Sequence, residues 1–261
     1  MLEQTKTLKY DILTKFDDSY DRVRHMKDYY KGETAYILGT GPSIDKISSF
    51  EKLNDKLVIS MKQSLRYVST ADFHLLNFCN LTRYNYENNN TIVGWTIWDQ
   101  HQPNTILQNF SCDFILPTYK LNDGRADLDN SIAFNLDKLD LLDMNKELSR
   151  PWGPGTMYEL AIPLALYLGC KKIVTIGWDL FASELNKFSN DTESLYQPHC
   201  YNDNDLQFIE TNTKINKKEI LGVINSTKHL YEWLDKRGIE LEIVDPLGNN
   251  PAYKQFKRIT L

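Results

Sequence analysis

The stretch Ala35-Tyr36-Ile37-Leu38-Gly39-Thr40-Gly41-Pro42-Ser43-Ile44 limits the fold of this chain more than any other. A short apolar run feeding two glycines, a proline and a serine reads as a buried strand, a tight turn and the start of a helix. Gly39 and Gly41 permit backbone angles closed to other residues and let a ligand approach the main chain. Pro42 suits a first helical turn and Ser43 suits its cap. Unpaired N–H groups and the positive end of the helix dipole then face whatever sits above Gly39 to Ser43, and a nucleotide phosphate fits there. Gly-Thr-Gly-Pro-Ser is neither the Walker pattern nor the full dinucleotide fingerprint, since the third glycine is missing. A ligand-free strand-to-helix turn is the competing interpretation.

The rest of the chain supplies the partners such a strand needs. Lys56-Leu57-Val58-Ile59-Ser60 completes a βαβ unit after a helix expected over residues 44–53. Further strands are expected at residues 73–78, 91–98 and 113–116, with weak helical character over 136–148. From Met157, small and apolar residues predict a helix closing on Gly169, followed by the buried strand Lys172-Ile173-Val174-Thr175-Ile176-Gly177. A helix over about residues 217–236, a turn at Gly238 and a strand over 239–244 close the pattern. Before the glycine turn, Leu8, Ile12, Phe16, Tyr20, Val23, Met26 and Tyr30 recur at helical spacing, and Gly32 ends that helix. Its apolar stripe has two candidate partners, the chain's own sheet or a second copy in a homo-oligomer. The expected architecture is α/β: a doubly wound, mainly parallel Rossmann-like sheet with an N-terminal helical extension (1–32), a nucleotide-binding transferase domain (33–261) and a lid-like insertion at about 181–216.

Charge and composition exclude several functions. Thirty basic residues against 35 acidic ones, scattered rather than clustered, argue against a nucleic-acid partner. No apolar run is long enough for a transmembrane segment, and residues 1–6 lack the apolar core of a signal peptide, so the expected location is cytoplasmic, at most touching a membrane surface. Cys79, Cys112, Cys170 and Cys200 form no C-x-x-C pair, which speaks against a zinc knuckle or a disulfide framework.

In an open parallel sheet, ligands bind over the carboxyl ends of the strands. The candidates there are Gly39 to Ser43, Lys62 and Gln63 after the second strand, Asn77 at the end of the third, and Asp179 after the strand that ends at Gly177. Asp179 suits a ribose hydroxyl, a metal or a reacting proton, or else a helix cap or a partner for a basic side chain. The segment from Phe181 to Asn216 is too long for an idle connector. Within it, His199 is the best candidate for a general base, because imidazole titrates near neutrality. Tyr196 and Tyr201 flank it with phenolic donors for a departing phosphate.

Three motifs in order, Ile37-Leu38-Gly39-Thr40-Gly41-Pro42-Ser43, then Gly155-Thr156-Met157-Tyr158 with Leu168-Gly169-Cys170-Lys171-Lys172-Ile173, then Ile176-Gly177-Trp178-Asp179-Leu180, resemble a known superfamily. It contains the bacterial CMP-sialic-acid-dependent sialyltransferases of lipooligosaccharides. It also contains archaeal 6-hydroxymethyl-dihydropterin diphosphokinases and the motility-associated factors that glycosylate flagellin. The resemblance implies that the glycine turn and the strand-end residues hold CMP, that loop tyrosines steady the leaving phosphate and that a histidine deprotonates the acceptor. Gly39, Gly41, Pro42, Ser43 and Asn77 match, and Gly155 and Thr156 join the nucleotide-binding set. Lys62 stands where asparagine is usual, Phe181 replaces a tyrosine, and Gly222 falls near the place of the base. The implied function is a glycosyltransferase moving a sugar from a CMP-linked donor to a glycan or other hydroxyl acceptor, with no cofactor. The alternatives are a diphosphokinase using ATP and Mg2+, or a nucleotide-binding protein without catalysis.

Overall fold

The computed structural model describes residues 1–16, 19–68, 71–77, 92–96, 121–122, 125–126, 134–135, 157–180, 187–190, 193–196, 214–246, 248, 254 and 256–261. The expectations at residues 113–116 and 136–148 lie outside them.

Among the described residues, eight strands form one sheet in the order β12-β11-β8-β1-β2-β3-β4-β7. They are β1 (Thr34–Leu38), β2 (Leu57–Met61), β3 (Phe73–Asn77), β4 (Ile92–Thr96), β7 (Phe134–Asn135), β8 (Lys172–Ile176), β11 (Glu240–Val244) and β12 (Lys257–Ile259). Every pair among them is parallel. Two small antiparallel pairs stand apart: β5 (Leu121–Asn122) with β6 (Arg125–Ala126), and β9 (Ser194–Tyr196) with β10 (Lys214–Asn216). The chain runs outward from β1 through β2, β3 and β4, then returns to place β8 on the other side of β1. Strand order therefore reverses between β1 and β8, as in a Rossmann-like α/β fold.

The two faces of the sheet are separated by strand alternation. Ala35, Ile37, Leu57, Ile59, Met61, Phe73, Leu75, Ile173, Leu241 and Ile243 share one core with residues of four helices: α1 (Leu2–Lys15), α2 (Ser19–Met26), α3 (Ile162–Tyr167, entered through the π-helical turn Met157–Ala161) and α4 (Lys217–Asp235). Leu38, Val58, Val174, Ile176 and Val244 pack on the opposite face with Ile44, Leu53 and Ala71.

Two helical expectations are corrected. The stripe from Leu8 to Tyr30 is split between two helices rather than carried by one: Phe16 leaves helical geometry at φ −135°, and Arg22 Nε donates to its carbonyl at 2.9 Å. Leu8, Ile12, Val23, Met26 and Tyr30 of the stripe are buried in the core that faces the chain's own sheet. Between β1 and β2, the helix expected over 44–53 is instead two 3-10 segments, Pro42–Lys46 and Glu51–Leu53. Ile47 is extended, and the Ser49 hydroxyl accepts from the Glu51 N–H at 3.2 Å, a local bond that competes with helix propagation.

A buried chain of hydroxyls ties α1 to the sheet. Thr5 Oγ1 lies 2.7 Å from Tyr30 Oη and donates to Asp72 Oδ1, while Asp72 Oδ2 accepts from the Val58 N–H at 2.7 Å. Burial raises the Asp72 carboxyl above its usual range despite these donors. Among the described residues, no helix is long and apolar enough to cross a membrane.

Candidate functional site

The carboxyl ends of β1 and β8 meet at the reversal of strand order, and there the two following turns are zipped together. Gly39 N–H donates to the Ile176 carbonyl at 2.7 Å, and Gly41 N–H to the Gly177 carbonyl at 2.7 Å. Two residues further on, Ser43 N–H donates to Asp179 Oδ2 at 2.8 Å. The donors fall at every second residue after β1, while the acceptors are the consecutive carbonyls of Ile176 and Gly177 and then the Asp179 side chain, so the regular ladder ends but the turns stay in contact.

This geometry explains the glycines differently from the sequence reading. Gly41 is extended, at φ −72° and ψ 150°, and Gly39 is not in the left-handed region either. What they provide is space. A Cβ on Gly39 would stand 2.5 Å from the Gly177 carbonyl oxygen, and one on Gly41 would stand 2.6 Å from Asp179 Oδ2 and 2.7 Å from the Gly177 oxygen. Gly177 does need its freedom: it sits at φ +66°, with Ile44 Cβ 3.0 Å from where its own Cβ would be. The phosphate cradle expected from the Gly39, Gly41 and Ser43 amides is thus already engaged within the fold. Pro42–Lys46 is a five-residue 3-10 segment, too short to supply a helix-end field, and its cap lacks a side-chain hydrogen bond.

The floor beside β1 is equally built. Ser64 accepts from the Met61 N–H at 2.8 Å and bridges to the carbonyls of Leu38 and Met61, each at 2.8 Å, fixing the end of β1 to the end of β2. The Tyr67 hydroxyl donates to Asp45, joining the 3-10 segments that follow the two strands. Leu38 pairs with Ser60 and Met61 with Leu75, after which the chain turns at Lys62 into the 3-10 segment Lys62–Tyr67, while Asn77 at the end of β3 pairs with Thr96.

Two bulky residues near this edge have left-handed backbone: Lys62, directly after β2, at φ +48°, and Leu180, four residues past β8, at φ +53°. Bulky residues hold such angles only where the surroundings over-determine them, and such strain clusters at ligand sites. Neither position carries a sequence signal, since Lys and Leu are not turn formers. Ser64 was likewise invisible in sequence.

Asp179, 7% exposed, thus stands as partner to the glycine turn. Beside it, the Trp178 and Tyr158 rings meet edge-on at 5.6 Å between centroids, and the Tyr158 hydroxyl bonds Thr227 of α4. Tyr196 lies on β9, its Cα paired with Lys214 of β10, so residues 194–196 within the long insertion are held against its last residues, 214–216, just before α4. Gly155, Thr156, His199 and Tyr201 lie outside the described residues.

Two other reactive groups are buried away from chemistry. His74 Nδ1 is 2.9 Å from Ser60 Oγ, and burial drives its pKa down to about 3, leaving a neutral imidazole in the sheet. Cys170 is buried as a thiol, its pKa pushed up to about 12 by desolvation and then by Glu33. Among the described residues, no three His, Cys, Asp or Glu side chains gather as a metal would require.

No family model matches the chain, and no curated protein matches it in sequence. Solved structures do match in fold. The sialyltransferase CST-II in complex with a trisaccharide acceptor and CMP aligns with a TM-score of 0.52 and 14% identity over 87% of this chain and 86% of that one. CstII from Campylobacter jejuni with the substrate analogue cytidine-5'-monophosphate gives 0.52 and 14% over 87% and 85%. Its complex with CMP-3FNeuAc gives 0.50 and 13% over 87% and 86%. At such identities the likeness establishes a shared fold.

Proposed function

We propose that this chain is a glycosyltransferase that moves a sugar from a CMP-linked donor to a hydroxyl acceptor. The observation that carries the reading is the paired-turn edge at the reversal between β1 and β8, in a fold shared with sialyltransferases whose structures contain CMP. In open α/β sheets this is where ligands bind. The strained backbone at Lys62 and Leu180 lies at the same edge.

In this reading the interlocked turns form the rigid floor, and Lys62, Gln63 and Asn77 line the ends of the neighbouring strands. Donor cleavage makes CMP the leaving group, so catalysis needs donors around one phosphate and a base for the acceptor hydroxyl. Tyr196 and Tyr201 supply the donors and His199 the base. Asp179 holds the turn rather than reacting. In this reading the insertion at about residues 181–216 closes over the donor and excludes water that would otherwise hydrolyse it. A single phosphate needs no divalent cation, so activity persists in chelator.

The test is CMP release from a CMP-linked sugar, with and without a glycan acceptor, in the presence of chelator. Saturable release that rises with acceptor supports the reading, and His199→Gln should then lower turnover by roughly two to four orders of magnitude. If pyrophosphate transfer from ATP with Mg2+ to a pterin alcohol proceeds while CMP donors are inert, the diphosphokinase reading replaces it.

A further inference from the structure

The most informative group at the edge is the carboxylate of Asp179, because it takes the Ser43 amide, one of the donors that the sequence offered to a ligand's phosphate. Ser43 N–H is the donor that follows the glycine turn, and Asp179 Oδ2 accepts from it at 2.8 Å. The same oxygen lies 2.6 Å from the position of a Gly41 Cβ, close against the main chain. With the Gly39 and Gly41 amides bonded to carbonyls of the β8 turn, the glycine turn enters the site carrying its own anion. In loops that cradle polyphosphates, by contrast, the amides are left open for the ligand.

Resting on the nucleotide reading above, we propose that Asp179 is a specificity-determining residue that selects ligands by phosphate number. It favours a nucleoside monophosphate or its singly charged sugar diester over a nucleoside di- or triphosphate. Each added phosphate brings further negative charge near a carboxylate held in place by the turn, at distances where the effective dielectric is well below that of water. A sugar diester of a nucleoside monophosphate carries one charge at its single phosphate, the least of any activated nucleotide donor.

The experiment measures affinities of CMP, CDP and CTP by calorimetry in chelator, for the wild type and for Asp179→Asn. The amide keeps an oxygen for the Ser43 N–H and removes the charge. In the wild type, affinity should fall from CMP to CDP to CTP, with CMP favoured over CTP by on the order of tenfold. In Asp179→Asn the CTP affinity should rise several-fold while that for CMP changes little, collapsing the gap. A purely structural role would weaken all three ligands alike. Should the variant fail to fold, the wild-type series decides: the gap must narrow as salt is raised, as an electrostatic penalty does. CMP binding with an equal or reversed order in the wild type, or an unchanged gap in a folded Asp179→Asn, overturns this proposal and leaves the CMP reading standing. Absence of binding by all three nucleotides to the folded protein overturns both.

Discussion

At the scale of single residues, the glycines at 39 and 41 end a buried strand as the sequence suggests, but close contact rather than torsional freedom requires them there. Sequence offered torsional freedom and an open anion cradle, whereas neither glycine uses positive φ and both are required by the close approach of the β8 turn. That approach depends on residues some 136 positions away, such as Asp179, so no local pattern could show it. Gly39→Ala places its methyl 2.5 Å from a backbone oxygen, which cannot rotate aside as a side chain would. Overpacking of this kind costs about 1–3 kcal/mol. The expected outcome is a lower midpoint in denaturant with an unchanged slope. Gly39→Ala and Gly41→Ala melting together with the wild type would show that the two turns are not interlocked in solution. Asp179, by contrast, was legible as a strand-end acid, with a capping role already among its alternatives.

Among the elements, strands of the sheet centre were readable because buried parallel strands are continuous apolar runs. Strand β12 was not. Lys257, Arg258 and Ile259 carry no such run; the strand pairs in parallel with β11, and its lysine reaches a carboxylate there. Glu242, 3% exposed, is bonded by Lys257 and by Lys172 Nζ, the latter at 2.8 Å. Burial raises its pKa, but these two cations outweigh that and hold it below the usual value. The Glu242 contribution is therefore present above about pH 4.5 and lost on further acidification. His74 of β3 acts in the same direction at higher pH. Its folded pKa lies near 3 against 6.5 ordinarily, so the unfolded chain binds more protons between those values. Stability then falls by about 2 kcal/mol from about pH 7 to about pH 5. Asp72 opposes this, since its raised carboxyl favours the folded state below its usual pKa and less so above it. His74→Gln keeps a polar side chain near Ser60 and removes the titration. Denaturation across this range should show a flatter pH dependence in that variant, and an unchanged slope would rule His74 out as its source.

At the scale of the whole molecule, the N-terminal helices belong to the core that covers one face of the sheet. Leu8, Ile12, Val23, Met26 and Tyr30 are each at most 1% exposed, and the stripe that sequence assigned either to the sheet or to a second copy is used by the sheet. Burial of five such side chains contributes about 10 kcal/mol at roughly 2 kcal/mol each. That is comparable with the entire net stability of an ordinary domain, about 5–15 kcal/mol. A chain lacking residues 1–32 should therefore show no cooperative thermal transition. A sharp melt in that truncated chain would mean that residues 33–261 fold independently. The central claim is that a nucleotide rests on the carboxyl edge of the sheet between the ends of β1, β2 and β8. Its most direct test is to titrate 15N-labelled protein with CMP and follow the backbone amide resonances. The account predicts saturable shifts concentrated at residues 39–43, 62–63 and 177–180; no saturable shifts in the folded protein, or shifts confined to the opposite, amino-terminal edge of the sheet, would contradict it.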